Sequence, residues 1–136
     1  MRMTRRESRE LAFVLLFEKS FTDGSVADIL QNAEEARDLI GDPFALMLAE
    51  GAENHLEEID VLISEHSHKW SKARLSRVAL AVMRLAVFEM RWVEEVPVSV
   101  SINEAVELAK VYGSDADASF INGVLGGISR DGENHE

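Results

Sequence analysis

The stretch Arg77-Val-Ala-Leu-Ala-Val-Met-Arg84-Leu-Ala-Val-Phe-Glu89-Met-Arg91-Trp-Val-Glu94 decides the fold. Val78, Leu80, Val82, Met83, Leu85, Val87, Phe88 and Met90, with the alanines between them, leave almost no polar side. A segment apolar all round and long enough for several turns is a buried helix, so residues 77–94 should run through the middle of a helical protein. Leu85 and Phe88 should lie in its core. Pro97 ends the region, since proline cannot continue a helix.

The neighbouring segments read as helices laid around this one. Thr4-Arg-Arg-Glu7 has the spacing of a capping box, in which each side chain satisfies the other residue's free N–H. The helix it opens carries Leu11, Val14, Leu15 and Phe17 on one side, widened by Ala12, Phe13 and Leu16, and should stop near Ser20. Ser25-Val-Ala-Asp28 repeats the capping spacing before Val26, Ile29, Leu30 and Ala33. Gly41-Asp42-Pro43 reads as a stop, a cap and a first helical residue. Leu48, Ala52, Leu56, Ile59, Leu62 and Ile63 then keep a 3.6-residue period, predicting one long helix over residues 44–66. Gly51 should weaken it by ~1 kcal/mol relative to alanine without breaking it. Residues 70–75 read as a short helical connection. Ser101-Ile-Asn-Glu104 predicts another capped start, with Gly113 as the stop. Asp115 or Asp117 should cap a last helix bearing Phe120, Ile121, Val124, Leu125 and Ile128, and residues 131–136 should fray. No strand alternation, internal repeat or linker interrupts the pattern. The expected architecture is one all-α domain, residues 1–136, of about seven helices.

With 136 residues the chain suits a single domain and needs no staple. It has no cysteine, which excludes disulfide scaffolds, thiolate metal sites and cysteine catalysis. No apolar run approaches the roughly 18 residues that span a bilayer, and the basic start lacks the length and cleavage site of a signal peptide, so a cytoplasmic protein is expected. The net charge of −11 argues against a nonspecific nucleic-acid binder. Its distribution matters more: residues 1–19 carry +2, 20–65 carry −11, 66–93 carry +5 and 94–136 carry −7. If the first and third blocks meet in space, the acidic protein still presents a basic face.

Enzyme motifs are lacking. His66 and His68 do not share a helix face, and no third ligand stands at metal spacing; they read as solvated loop residues. Gly123-Val-Leu-Gly-Gly127 lies in a helical pattern rather than after a strand, so it fails as a phosphate loop and reads as close helix packing. Asn103 and Asn122 read as buried or capping amides. Adjacent acids such as Glu57-Glu58 and Glu94-Glu95 diverge on a helix and read as solvated faces. No cofactor or metal is expected. Arg5, Arg6 and Arg9 differ: their i,i+3 and i,i+4 spacings put three guanidiniums on one patch. Arginines at a helix start oppose its dipole, and guanidinium forks match phosphate oxygens. Against this stands the plain reading of a soluble helix end, with Glu10 pairing locally.

Taken together, these residues resemble the NusB family of bacterial transcription antitermination factors. Arg5-Arg6-Glu-Ser-Arg9-Glu10-Leu-Ala is similar to the family's opening, and Trp70, Arg74 and the stretch up to Met90 to its central helix. The strongest likeness is in Val96-Pro97-Val-Ser-Val-Ser-Ile102-Asn103-Glu104-Ala105-Val-Glu107-Leu108-Ala109-Lys110, Gly113, and Phe120-Ile-Asn122-Gly123-Val124-Leu125. The resemblance implies two perpendicular helical bundles, about 1–67 and about 68–130, and no catalysis. It implies binding of boxA RNA in ribosomal RNA transcripts together with NusE, a small-subunit ribosomal protein, and seeding of an antitermination complex on RNA polymerase. Its RNA contacts carry over to Arg5, Arg6, Arg9, Phe17 and Phe120, with Lys72, Arg74 and Arg77 extending the strip. Ala79 and Met83 would face NusE. Four positions depart from the pattern: Glu7 replaces a basic residue of some members, Phe17 a tyrosine, Ala79 an acid that meets NusE, and Ala116 an aspartate near the RNA.

Two rival readings accompany it. One is a homodimer that masks the RNA face. The other is the RNA-targeting module of a ribosomal RNA cytosine methyltransferase, which needs a long C-terminal Rossmann domain, whereas the sequence ends at Glu136.

Overall fold

The structure, a computed structural model, describes residues 4–21, 25, 26, 28, 42–67 and 76–134. Among them are six helices and no strand: α1 (Arg5–Lys19), α2 (Pro43–Asn54), α3 (Leu56–Glu65), α4 (Arg77–Trp92), α5 (Val98–Tyr112) and α6 (Asp115–Asn134). Of the helix expected beyond Ser25 only Val26 and Asp28 are described, both helical, and the connection at 70–75 lies outside the described residues. Ser25 and Asp28 do make the expected reciprocal cap.

The apolar stretch is the centre. Helix α4 packs against each of the other five helices. Val82, Met83 and Val87 are fully buried on it, and Leu85 and Phe88 nearly so. Around it lie Ala12, Phe13, Leu15 and Leu16 of α1, Leu48 and Ala52 of α2, Ile59 and Ile63 of α3, Ala105 and Ala109 of α5, and Ile121, Leu125 and Ile128 of α6. One continuous core results.

The cap at Thr4 forms as expected: the Glu7 N–H donates to Thr4 Oγ1 at 3.1 Å, and the Thr4 N–H donates to Glu7 Oε1 at 3.0 Å. The bond from the Thr4 N–H first, and then the Thr4 hydroxyl, hold the Glu7 carboxyl below its usual pKa. Asp42 caps α2 by accepting from the N–H groups of Phe44 and Ala45, with Pro43 at the first helical position. Ser8 of α1 donates its hydroxyl hydrogen to the same carboxylate, joining the two helix starts.

Several expectations are corrected. The long helix over 44–66 is two helices, broken at His55, where φ is −112° and ψ 21°. The imidazole there stacks on Trp92 at 4.2 Å between centroids and 17° between planes, a contact 37 positions away along the chain and absent from the periodicity. Gly51 is not a weak point. A Cβ on it would come within 2.1 Å of Phe88 Cζ, so its lack of a side chain seats the Phe88 ring. Helix α5 starts at Val98 after Pro97, and the N–H groups of Val100 and Ser101 donate to the Pro97 carbonyl. Ser101 therefore lies inside the first turn, buried, with no partner for its hydroxyl. Ser114, not Asp115 or Asp117, caps α6 by accepting from the Asp117 N–H. That helix continues through Asp131 where a frayed tail was expected, its end tied to α3 by Asp131 on His66 Nε2. His66 is thus no solvated loop residue: its side chain is 13% exposed, and Nδ1 lies 2.8 Å from the Leu62 carbonyl. Asn103 and Asn122 are exposed rather than buried. Of Gly123, Gly126 and Gly127 in α6, only Gly127 meets a neighbouring element closely, the His66 ring; Gly123 faces open space.

Candidate nucleic-acid interface

The first and third charge blocks do meet, since α1 packs on α4, but among the described residues most of their cations find partners within the protein. Arg9 points inward. Its side chain is 7% exposed and that of Glu89 2%, and the guanidinium donates to the carboxylate at 2.6, 3.0 and 3.0 Å. The expected patch of three exposed arginines is therefore corrected to two. Glu89, the one acid among residues 66–93, sits in the buried stretch 85–89 of α4, where a charge needs a counter-charge. Arg9, one turn into α1, supplies it. A lone acid inside an apolar stretch was the sequence signal for this pair.

Arg6 stays at the surface, 67% exposed, and forms a two-pronged contact with Glu104 of α5: Nε and Nη2 each donate at 3.0 Å. The hydrogen bonds to Glu104, and then its charge, raise the Arg6 pKa further. Two of the five guanidinium donors are engaged there. Arg5 is exposed, its guanidinium 3.9 Å from the centroid of the Phe44 ring. Among the described residues Arg5 and Arg77 have no carboxylate partner within salt-bridge distance, whereas Lys19 pairs with Glu53 and Arg84 with Asp60.

A line of rings runs along α1 beyond the arginines. Phe13, Phe17 and Phe21 recur every four residues. Phe13 and Phe17 are near-parallel at 5.9 Å, and Phe17 meets Phe21 edge-on at 5.0 Å. Tyr112 of α5 packs on Phe13 at 4.9 Å and donates its hydroxyl hydrogen to Glu10, so Glu10 pairs across to α5 rather than locally. That hydrogen bond is the main reason the phenol pKa is pushed up to about 12. Phe17, half-buried, is thus one member of a stacked series rather than an isolated ring. Beyond Phe21 the series ends under Arg77, whose guanidinium lies 4.3 Å from the ring centroid.

Phe120 is half-buried against the core on α6. It stands one turn after Asp117. A Cβ at Gly113 would lie 2.6 Å from Asp117 Oδ2 and 3.3 Å from Val78 Cγ1, so the end of α5 meets the starts of α4 and α6 there. Tyr112, Arg77 and Phe120 therefore belong to one end of the molecule. Lys72 and Arg74 lie outside the described residues. Ala79 and Met83, expected to face NusE, are 1% and 0% exposed in the chain alone and pack in the core. Phe21 was not read from the sequence, although the fourfold aromatic spacing from Phe13 signals it.

Among the described residues no three His, Asp or Glu side chains are grouped to hold a metal ion, and no helix is long and apolar enough to cross a membrane. The exposed groups are guanidiniums and aromatic faces, which suit phosphates and bases.

Comparison with known proteins places the chain. The model of the NusB family matches residues 6–130. The chain is similar to the transcription antitermination protein NusB of Bacillus subtilis (strain 168), 40% identical over 129 residues that cover 95% of this chain and 97% of that one. It is similar to the protein of the same name from Clostridium novyi (strain NT), 38% identical over 130 residues, covering 93% and 98%. Among solved structures, T. maritima NusB superposes with a TM-score of 0.86 at 36% identity, covering 96% of this chain and 94% of that one. A chain from the crystal structure of antitermination factors NusB and NusE in complex with dsRNA superposes with a TM-score of 0.82 at 26% identity, covering 93% and 96%. Matched in sequence nearly end to end, and in its helical architecture, the chain belongs to the NusB family.

Proposed function

We propose that this chain is a transcription antitermination factor that binds boxA RNA of ribosomal RNA transcripts together with NusE and nucleates an antitermination complex on RNA polymerase. It acts in the cytoplasm by binding alone, with no catalytic step. The observation that carries this reading is the near full-length likeness to NusB proteins, including a chain solved with NusE and RNA. The division into sub-bundles of about 1–67 and 68–130 goes with it.

The face described above supplies the chemistry. Arg5 and Arg6 are exposed cations at the start of α1, and Arg6 keeps unused donors for phosphate oxygens. Phe17 offers a stacking surface further along the same helix, with Phe120 at the same end of the molecule. Arg9 serves by position: its bond to Glu89 fixes α1 on α4 and so sets the direction of the exposed arginines. A net charge of −11 opposes long-range attraction of RNA, so the protein alone binds modestly and a basic NusE strengthens the complex. Labelled boxA RNA titrated with the protein tests this. Tight binding is expected only with NusE present, and only for the boxA sequence. Equal affinity for a scrambled RNA, or no gain from NusE, refutes it.

A further inference from the structure

Phe21 is the most exposed aromatic ring among the described residues, at 58%. Exposure rises along its series, from Phe13 at 1% through half-buried Phe17. A large ring held in water at a helix end is unfavourable unless something covers it, and here its orientation is fixed from two sides. Phe17 meets it edge-on, and Arg77 lies over it. Arg77 is itself held, with Nη1 donating to the Ser20 carbonyl at 2.8 Å. It occupies the first position of α4, a turn with no acidic residue, so the helix dipole adds to the guanidinium charge instead of being offset. A preorganised aromatic face beside an unpaired cation is the arrangement that holds one nucleotide of a single strand.

We propose that Phe21 and Arg77 form a further RNA subsite, in which a base stacks on Phe21 and the adjoining phosphate is taken by Arg77. The subsite continues the line of Phe17 past the end of α1 and lengthens the single-stranded RNA path by one nucleotide. It rests on the reading that this face binds boxA RNA.

The test measures labelled boxA RNA, in the presence of NusE, against wild type, Phe21→Leu, Arg77→Gln and Phe17→Leu. Leucine keeps an apolar side chain at the helix end while removing the stacking face. Phe21→Leu is expected to weaken binding roughly fivefold or more, the low end for a missing base stack. Arg77→Gln is expected to flatten the salt dependence by about 0.7 in logarithmic slope, one single-strand phosphate contact. If Phe21→Leu and Arg77→Gln bind like wild type while Phe17→Leu is weakened, the subsite is wrong and the RNA reading stands. If Phe17→Leu is unchanged as well, both fall. A Phe21→Leu protein that binds NusE less well without RNA, yet loses no RNA affinity once bound, assigns the ring to the protein partner and overturns the proposal.

Discussion

Replacing Arg9 with alanine removes one half of a buried ion pair, and the size of the effect follows from the geometry. With contacts of 2.6–3.0 Å the two charge centres lie roughly 4 Å apart, worth about 4 kcal/mol at an effective dielectric constant of 20. Deleting Arg9 forfeits that attraction and leaves the Glu89 carboxylate, 2% exposed, inside α4 without a counter-charge. Breaking such a pair costs about 3–5 kcal/mol, a large share of the roughly 5–15 kcal/mol that holds a domain together. Urea unfolding followed by helical circular dichroism reads this directly. At a slope of about 1–3 kcal/mol/M the midpoint should fall by about 1 M or more. Replacing both partners with apolar residues, Arg9→Met with Glu89→Leu, should restore most of the loss, because no lone charge remains. An Arg9→Ala protein that unfolds within about 0.5 kcal/mol of wild type would refute the reasoning. It would also return Arg9 to the exposed patch expected from sequence.

Gly51→Ala should destabilise by roughly 1–3 kcal/mol, despite alanine's better helix propensity, because its Cβ meets the Phe88 ring, itself held in ring contact with both His55 and Trp92; a raised unfolding midpoint would contradict this. Leu85→Ala should cost ~2–5 kcal/mol as a core cavity, and a loss under about 0.5 kcal/mol in thermal melting would place Leu85 at the surface. Tyr112 is the only tyrosine, so phenolate absorbance titrates it alone, with a midpoint expected near pH 12. The raised value means that the unfolded chain loses this proton first as pH rises, so the stability it contributes is intact below about pH 10 and lost between about 10 and 12. Glu10→Gln should move the midpoint back toward 10, and an unchanged midpoint would exclude the hydrogen bond to Glu10.

Much of the fold was legible because local rules and packing agree. A segment apolar on every side can only be central, as α4 is, and the Thr4 and Asp42 caps need nothing beyond their own neighbours. The sequence misled where a partner remote in the chain decides. The period from Leu48 to Ile63 runs straight through His55, and only the Trp92 ring shows why the helix breaks there. The Ser101–Glu104 spacing fits a capping box, yet Pro97 starts the helix a turn earlier and Glu104 turns to Arg6. Helical spacing placed Arg5, Arg6 and Arg9 on one patch correctly as geometry, but it gave no means of knowing that Glu89, 80 positions away, draws one of them inside. The resemblance set Ala79 and Met83 toward a partner, and in the chain alone both are buried amid aliphatic neighbours. Among the described candidate RNA residues, Arg5, Arg6 and Arg77 keep an outward position, and Arg9, drawn to Glu89 of α4, does not.

The central claim is that exposed arginines of α1 hold boxA RNA while Arg9 holds the fold. The most direct measurement is the affinity of the NusE-bound protein for labelled boxA RNA at two salt concentrations, comparing wild type with Arg5→Gln/Arg6→Gln. The double variant should fold like wild type, bind more weakly, and show a shallower salt dependence by about 0.7 in slope for each phosphate that is no longer held. Wild-type affinity with an unchanged slope would contradict the account and move the RNA to another face of the molecule.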